Sequence, residues 1–238
     1  MFSEIQNFIL VTWPSLIVTA LCAYLLGSIN SAIIVTRFIS RTDIRDTGSG
    51  NAGATNVLRS QGKLPAILTT LGDLGKSILS VLLGRWLIAV MNSGYASNNM
   101  EFMLSGAYLA GLFCIIGHLY PVFFGFRGGK GVLASLGMML ILDWRIALIC
   151  LAIFIVIVLI FKMVSLGSIC AATALPIFTG IFSAFVYKYP AANTLFSTVM
   201  TAFIAVILII KHIPNIKRII KGTESRLGSG KVKSENNA

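Results

Sequence analysis

Charge is scarce in this 238-residue chain, at 11% of residues against about 25% in soluble domains. Acids are scarcer still, with 8 Asp and Glu against 19 Lys and Arg. The few acids are scattered and none stands at metal-ligand spacing, so neither a metal nor any other cofactor is expected. The four cysteines, Cys22, Cys114, Cys150 and Cys170, all lie in apolar segments with no Cys-x-x-Cys or Cys/His spacing. That excludes a disulfide framework or a zinc site and leaves them as small packing residues. The net charge of +11 does not imply nucleic acid, because the basic residues sit in the links between apolar segments and form no basic domain face.

Apolar length fills the space that charge leaves. Hydrophobic residues make up 56% of the chain and the mean hydropathy is +0.88. A membrane span needs ~20 mainly apolar residues to cross ~30 Å of hydrocarbon. Stretches at about 9–29, 64–90, 102–126, 131–143, 145–161, 163–186 and 194–210 predict seven spans, an all-α integral membrane bundle over 1–227 and a disordered polar tail over 228–238. The first stretch is no cleavable signal, since Ser3-Glu4 is not a basic n-region and the apolar run is too long. The stretch 131–143 offers only roughly 20 Å of helix, so a re-entrant segment is the alternative to a crossing. Parity favours the crossing. With seven spans, the links at 37–63, 127–130 and 162 and the tail from 211 share one side and gather 15 of the 19 basic residues. By the positive-inside rule that side is the cytoplasm and the amino terminus is external.

Three polar clusters fall on the predicted cytoplasmic face. The first is Gly48-Ser49-Gly50-Asn51-Ala52-Gly53-Ala54-Thr55-Asn56-Val57-Leu58-Arg59. Its glycines let backbone N–H groups approach a ligand, and Ser, Asn and Thr add neutral donors, which suits an anion. The G-x-G-x-x-G spacing of Gly48, Gly50 and Gly53, with Asp73 downstream, imitates a dinucleotide fingerprint but follows a membrane helix instead of a buried strand. The second cluster is Gly117-His118-Leu119-Tyr120-Pro121, then Gly125-Phe126-Arg127-Gly128-Gly129-Lys130-Gly131. It fails as a P-loop, because Gly131 stands where a Ser or Thr is required, and remains a glycine-rich cationic turn opening a helix. The third is Lys211-His212-Ile213-Pro214-Asn215-Ile216-Lys217-Arg218, ending at Gly222-Thr223-Glu224. Pro214 breaks the last span there and starts an interfacial amphipathic helix.

The bland reading of basic span ends is that they fix topology and snorkel to lipid phosphates, and it is taken for Arg37, Arg41, Lys162, Lys217 and Lys221. Glycine-rich surroundings set Arg59 and Lys130 apart as site residues. Asp73 and Lys76, three residues apart within the second span, are expected to pair, because an unpaired charge there costs about 2.5–3.5 kcal/mol on insertion scales. Their role is read as structural, and so is that of Glu224, which ties the tail to a basic loop.

With these clusters in place, the chain resembles the bacterial acyl-phosphate:glycerol-3-phosphate acyltransferase family (PlsY). The similarity runs to about Leu227 through Gly48–Arg59, Gly117–Gly131 and His212–Arg218. It departs at Ser77, where the family often has Gly after the lysine, and at Ile219, often Leu. The resemblance implies transfer of a fatty acyl group from acyl phosphate to the 1-hydroxyl of glycerol 3-phosphate in phospholipid synthesis at the bacterial inner membrane, with the site facing the cytoplasm. It gives as expected partners acyl phosphate, glycerol 3-phosphate, membrane lipid and the enzyme that makes acyl phosphate.

On this reading the acyl phosphate group meets Gly48, Ser49, Gly50, Asn51 and Gly53, with Asn56, Gly128 and Gly129 as further substrate-binding positions. Arg59, Lys130, His212 and Asn215 hold glycerol 3-phosphate, and Ser49, Asn51, Arg59, Lys130, His212 and Asn215 are the expected catalytic set. No H-x-x-x-x-D dyad is present, since Phe123 and Lys217 stand five residues after the histidines. The proton acceptor is therefore either His212 or a substrate phosphate, and positioning with electrostatics carries much of the rate.

Two rival classes use some of the same residues. A transporter of phosphate esters would place its binding groups near the bilayer midplane on broken helices, whereas these cluster at one edge. A scaffold binding anionic lipid would use the basic tail and leave the glycine loops unexplained.

Overall fold

The computed structural model describes residues 2–92 and 100–227, with side chains described from Thr12 to Asn92 and from Met103 onward. The predicted tail at 228–238 and most of the link at 91–101 lie outside the described residues. All regular structure among the described residues is helical. Among the described residues, six apolar helical stretches are long enough to cross a membrane: Thr12–Ser40, Lys63–Met91, Met103–Phe124, Trp144–Phe161, Val164–Val186 and Ala191–Lys211.

The first stretch is two helices, α1 (Phe2–Ser28) and α2 (Ser31–Ser40). The break comes at Asn30, whose side-chain oxygen accepts from Ile33 N at 3.1 Å and so caps α2. Short α3 (Ala54–Gln61) follows the first glycine loop and leads into α4 (Lys63–Met91). Helix α5 (Met100–Leu119) packs against α1 at glycines: a Cβ on Gly27 would overlap the backbone of Cys114, and one on Gly117 would overlap the carbonyl of Tyr24. Cys114 is fully buried in that seam, and all four cysteines are free thiols.

Helix α6 (Val132–Leu142) has 11 residues, about 16 Å at 1.5 Å per residue. It is short because it starts inside the bundle. Gly128 N donates to Leu119 O at 3.2 Å and Gly129 N to His118 O at 3.1 Å, folding the second glycine motif back along the end of α5. Gly131 (φ 84°) then lies against Ile115, Leu119 and Leu208. At its other end α6 stops at Asp143, which caps α7 (Trp144–Phe161) by accepting from Arg145 N at 3.0 Å. Asp143 also accepts from Tyr187 Oη at 2.6 Å, beyond the far end of α8 (Val164–Ile181) and its π-helical extension Phe182–Val186.

Helix α9 (Ala191–Lys211) ends at His212, and α10 (Ile213–Ile220) begins with Pro214 in its first turn, where the missing N–H breaks no intrahelical bond. The main core, with Val81, Ile115, Met138, Ile146, Leu175, Ile204 and Leu208, joins α4 through α9. A second cluster of Ala32, Ile33, Ile44, Ala52, Val57 and Ala66 lies beneath the first glycine loop.

Candidate active site

The first glycine loop is shaped by an internal amide. Asn56, 2% exposed, donates through Nδ2 to Ile44 O, Thr47 O and Asn51 O at 2.9–3.1 Å and accepts Ser49 N on Oδ1 at 3.0 Å. The two Nδ2 hydrogens are shared among these three carbonyls, so Asn56 holds the loop in shape while also lining the cavity. Gly48 (φ 58°) and Gly50 (φ 69°) make the left-handed turns, and a Cβ on Gly48 would overlap Asn56 Oδ1. The loop thereby presents Ser49, Gly50, Asn51 and Gly53 to a cavity, together with Ala54 and Thr55 of the first turn of α3. The backbone N–H groups of Ser49, Gly50 and Gly53 are spent on Asn56 Oδ1, Thr47 O and Asn51 O, so the donors of this rim come from the first turn of α3, whose first N–H groups lack intrahelical partners, and from the Ser49, Asn51 and Thr55 side chains. Arg59 projects from α3 to the same cavity, with Nη2 3.4 Å from Ser225 O.

The second glycine motif forms the opposite wall. Gly128 and Gly129 spend their N–H groups on α5, so they contribute close backbone approach instead of donors: a Cβ on Gly129 would overlap the His118 imidazole and the Ala52 carbonyl. Arg45 ties the two walls together. Asp43 accepts from it at 2.8–2.9 Å, and its Nη1 donates to Phe124 O at 2.6 Å. Arg45, with Arg37 at 2.7 Å, holds the Asp43 carboxyl well below the usual carboxylate range against the opposing effect of burial. Arg37 is thus an ion-pair partner as well as a span-end cation.

The third cluster closes the ring. Lys130 Nζ donates to Asn215 Oδ1, and Asn215 Nδ2 donates to Glu224 Oε1 at 2.7 Å. Ser165 Oγ donates to the same oxygen at 2.7 Å, and Arg218 Nε donates to Oε2 at 2.7 Å. Burial would raise the Glu224 carboxyl, but hydrogen bonds from Ser165, Asn215 and Arg218 hold it below its ordinary value. Burial lowers Lys130 from 10.5 to about 8, with Arg218 and Arg59 acting in the same direction and Glu224 opposing. His212 is also lowered, chiefly by burial. Its Nδ1 lies 2.8 Å from Leu208 O, and because a carbonyl only accepts, the proton is on Nδ1 and the neutral ring offers Nε2 as an acceptor.

The cavity holds about 820 Å³. Ser49, Asn51, Arg59, Lys130, His212 and Asn215 all line it, as do Asp73, His118, Ser165 and Glu224. Asp73 and Lys76 form an ion pair at 3.0 Å. On one flank the lining turns apolar through Val132, Leu133, Phe154 and Val158. A further apolar slot of about 110 Å³ shares Val132, Leu133, Phe154 and Ser168 with it and descends to Met139, Ala147 and Leu175. Polar donors at one end and a hydrocarbon-lined extension at the other suit a ligand with an anionic head and an aliphatic chain. Sequence reasoning named His118 only as a member of the second cluster and missed Ser165 as a wall residue and Asp43 as the anchor of Arg45. A buried serine carries no sequence signal, whereas the Asp43-x-Arg45 spacing was readable.

Comparison with known proteins places these residues in a family. A sequence profile described as glycerol-3-phosphate acyltransferase matches residues 17–222. Relatives named glycerol-3-phosphate acyltransferase include one from Clostridioides difficile (strain 630), 41% identical over 217 residues, 91% of this chain and 98% of the relative. Another, from Coxiella burnetii (strain CbuG_Q212), is 39% identical over 213 residues, 89% of this chain and 97% of the relative. Among solved structures, the glycerol 3-phosphate form of PlsY (YgiH), an integral membrane glycerol 3-phosphate acyltransferase, superposes with a TM-score of 0.72 at 36% identity, covering 90% of this chain and 96% of that one. Its lysophosphatidic acid form gives 0.70 at 34% identity, with the same coverage.

Proposed function

The chain belongs to the glycerol-3-phosphate acyltransferase family, and we propose that it moves a fatty acyl group from acyl phosphate to the 1-hydroxyl of glycerol 3-phosphate. The observation that carries this reading is the convergence of all three motifs on one cavity with a cationic, donor-rich end and an apolar flank. The loop from Gly48 to Gly53, with Ser49 and Asn51, takes the phosphate of the donor. The acyl chain runs over Val132, Leu133 and Phe154 toward the apolar slot. Arg59, Lys130 and Asn215 hold glycerol 3-phosphate, and His212 Nε2 accepts the hydrogen bond of its attacking hydroxyl.

The hydroxyl oxygen forms the new C–O bond at the acyl carbonyl carbon, and the C–O bond to phosphate breaks. His212 Nε2 takes the hydroxyl proton as the bond forms and passes it to the departing phosphate, so the proton leaves with inorganic phosphate and the step needs no further reactant. Donors around the loop meet the charge that develops on the carbonyl oxygen. Because acyl phosphate already carries a good leaving group, orientation and charge stabilisation suffice without a carboxylate–histidine dyad. Purified protein should form 1-acylglycerol 3-phosphate and phosphate in step from acyl phosphate without acyl-CoA, and keep its activity in chelator. Turnover with acyl-CoA alone would refute the donor assignment.

The topology that serves this chemistry is seven crossings in the bacterial inner membrane, with the amino terminus external and the cavity cytoplasmic. Short α6 counts as a crossing, a reading supported by its start beside Ile115 and Leu208 and its end at the Asp143–Tyr187 contact. Membrane lipid surrounds the bundle, and the enzyme supplying acyl phosphate contacts it. Single cysteines replacing Ser60, Arg127 and Ser225 in a cysteine-free background should resist an impermeant thiol reagent applied outside spheroplasts. Labelling of any one from outside would reverse the arrangement.

A further inference from the structure

Lys76 is buried inside the bundle, and its ammonium has three close partners. Nζ lies 2.9 Å from Ile29 O, 3.0 Å from Asp73 Oδ1 and 2.9 Å from His118 Nδ1. An ammonium has N–H donors and no acceptor: its hydrogen bonds go to Ile29 O and His118 Nδ1, and Asp73 Oδ1 is its ion-pair partner. His118 Nδ1 must therefore be the unprotonated nitrogen. The alternative, a proton on Nδ1 pointing to Asp73 Oδ1, would span 3.5 Å and set two donors against each other 2.9 Å apart.

With Nδ1 accepting, the neutral imidazole carries its proton on Nε2. His118 is 4% exposed and is among the residues lining the cavity, and a Cβ on Gly129 would overlap its Nε2 and the Ala52 carbonyl, which puts the Nε2 edge between the two glycine loops. His212 is held the other way round by Leu208, so the two histidines present one donor and one acceptor to a single cavity.

We propose that His118 is a substrate-contacting residue whose Nε2–H donates to a phosphoryl oxygen, and that Asp73 and Lys76 are the positioning pair that sets its tautomer. This rests on the reading above that both substrates carry phosphate. The pair links the α1–α2 break, α4 and α5, and the same His118 accepts Gly129 N on its backbone carbonyl, so the pair also anchors the motif that carries Lys130.

The chain has two histidines, so the test begins with ¹⁵N-histidine labelling of the full-length protein in lipid nanodiscs, with His118→Phe assigning the resonances. The substrate-free protein should show His118 protonated on Nε2 and His212 on Nδ1, and a proton on His118 Nδ1 would overturn the proposal. Adding acyl phosphate or glycerol 3-phosphate should shift the His118 Nε2–H signal. The substrate that does so identifies the phosphate, and no shift with either would overturn the contact.

Kinetically, His118→Gln keeps a donor and should stay within about fivefold of wild type, while His118→Phe should lose about 10- to 100-fold in kcat/KM, the scale of one hydrogen bond to a charged group. Lys76→Met alone strands Asp73. The double change Asp73→Leu with Lys76→Met removes both charges, avoids an unpaired buried ion and should fall to the level of His118→Phe as the fixed tautomer is lost. A folded double variant with wild-type kcat/KM and an unchanged ¹⁵N spectrum would overturn the positioning role. Because the tautomer and ligand-shift readouts need no turnover, failure of the donor assignment and failure of this proposal are separable.

Discussion

Asp143 and Glu224 are both carboxylates gripped by three donors, yet of the two Glu224 alone lines the cavity. Asp143 accepts from Arg145 N, Ile146 N and Tyr187 Oη, and the nearby Arg145 guanidinium stacks on Trp144 at 5.0 Å and Tyr187 at 5.9 Å. That circuit closes on itself: it caps α7 and joins it to the end of α8. Glu224 accepts from Ser165, Asn215 and Arg218, but Asn215 passes the contact on to Lys130, which lines the cavity. The difference teaches that counting satisfied hydrogen bonds does not distinguish a seam from a site. What distinguishes them is whether the chain of contacts ends on a group whose charge is still available to a ligand.

The sharpest way to break this comparison is to remove the terminal cations. Arg59→Ala and Lys130→Ala should each lower kcat/KM by about 100-fold, since a hydrogen bond to a charged group contributes about 1.5–3 kcal/mol. Arg145→Ala should stay within about twofold in the same assay. Equal modest losses at all three would reduce the site to generic surface charge.

Proton uptake sharpens the contrast next. Lys130 sits at about 8 in the free protein, and a phosphate dianion requires its ammonium form. Apparent KM for glycerol 3-phosphate should therefore rise above pH 8, by up to about tenfold per unit, and Lys130→Arg should flatten the rise. Folding has the opposite sign. Between about 8 and 10.5 the unfolded chain binds more protons than the folded one, so this lysine makes the empty protein more stable as pH increases. A KM that stays flat to pH 9.5 would contradict the assignment.

The carboxylates themselves give smaller effects. Glu224→Ala leaves Asn215 free to rotate away from Lys130 and should lower kcat/KM by about tenfold, one hydrogen-bond increment. Asp143→Ala should lower Tm with KM unchanged, because a lost helix cap costs about 0.5–2 kcal/mol and touches no ligand. Reversal of these two readouts would erase the distinction between relay and seam. At the bottom of the scale, Lys217→Ala, on the exposed face of α10, should change neither rate nor KM by more than about twofold.

Much of the frame was legible because it depends on local composition. Apolar length marked the spans, Pro214 marked the α9–α10 break, and glycine-rich loops ending in Arg59 and Lys130 marked the cavity walls. The roles inside those loops were less readable. Asn56 looks in sequence like Ser49 and Asn51, a small polar residue on a glycine loop, but a preceding 3₁₀ turn at Ile44–Asp46 brings carbonyls to it and consumes its amide. Gly128 and Gly129 were expected at the substrate and line the cavity, but that their N–H groups go to the Leu119 and His118 carbonyls is set by the fold-back and has no local signal. The length of α6 was visible, but the reason for it lies in that fold-back.

By itself the sequence determined an all-helical membrane chain, its candidate spans and the three clusters that line the cavity, since hydrophobic transfer and backbone permissiveness are properties of residues taken singly or in short runs. Only the tertiary structure decided which polar atoms face the cavity and in which protonation form. Lys130 meets Asn215 across 85 residues, Lys76 meets His118 across 42, and Ser165 meets Glu224 across 59. A histidine's tautomer and a lysine's charge are set by the neighbours that packing brings within about 3 Å, and sequence order does not encode those neighbours.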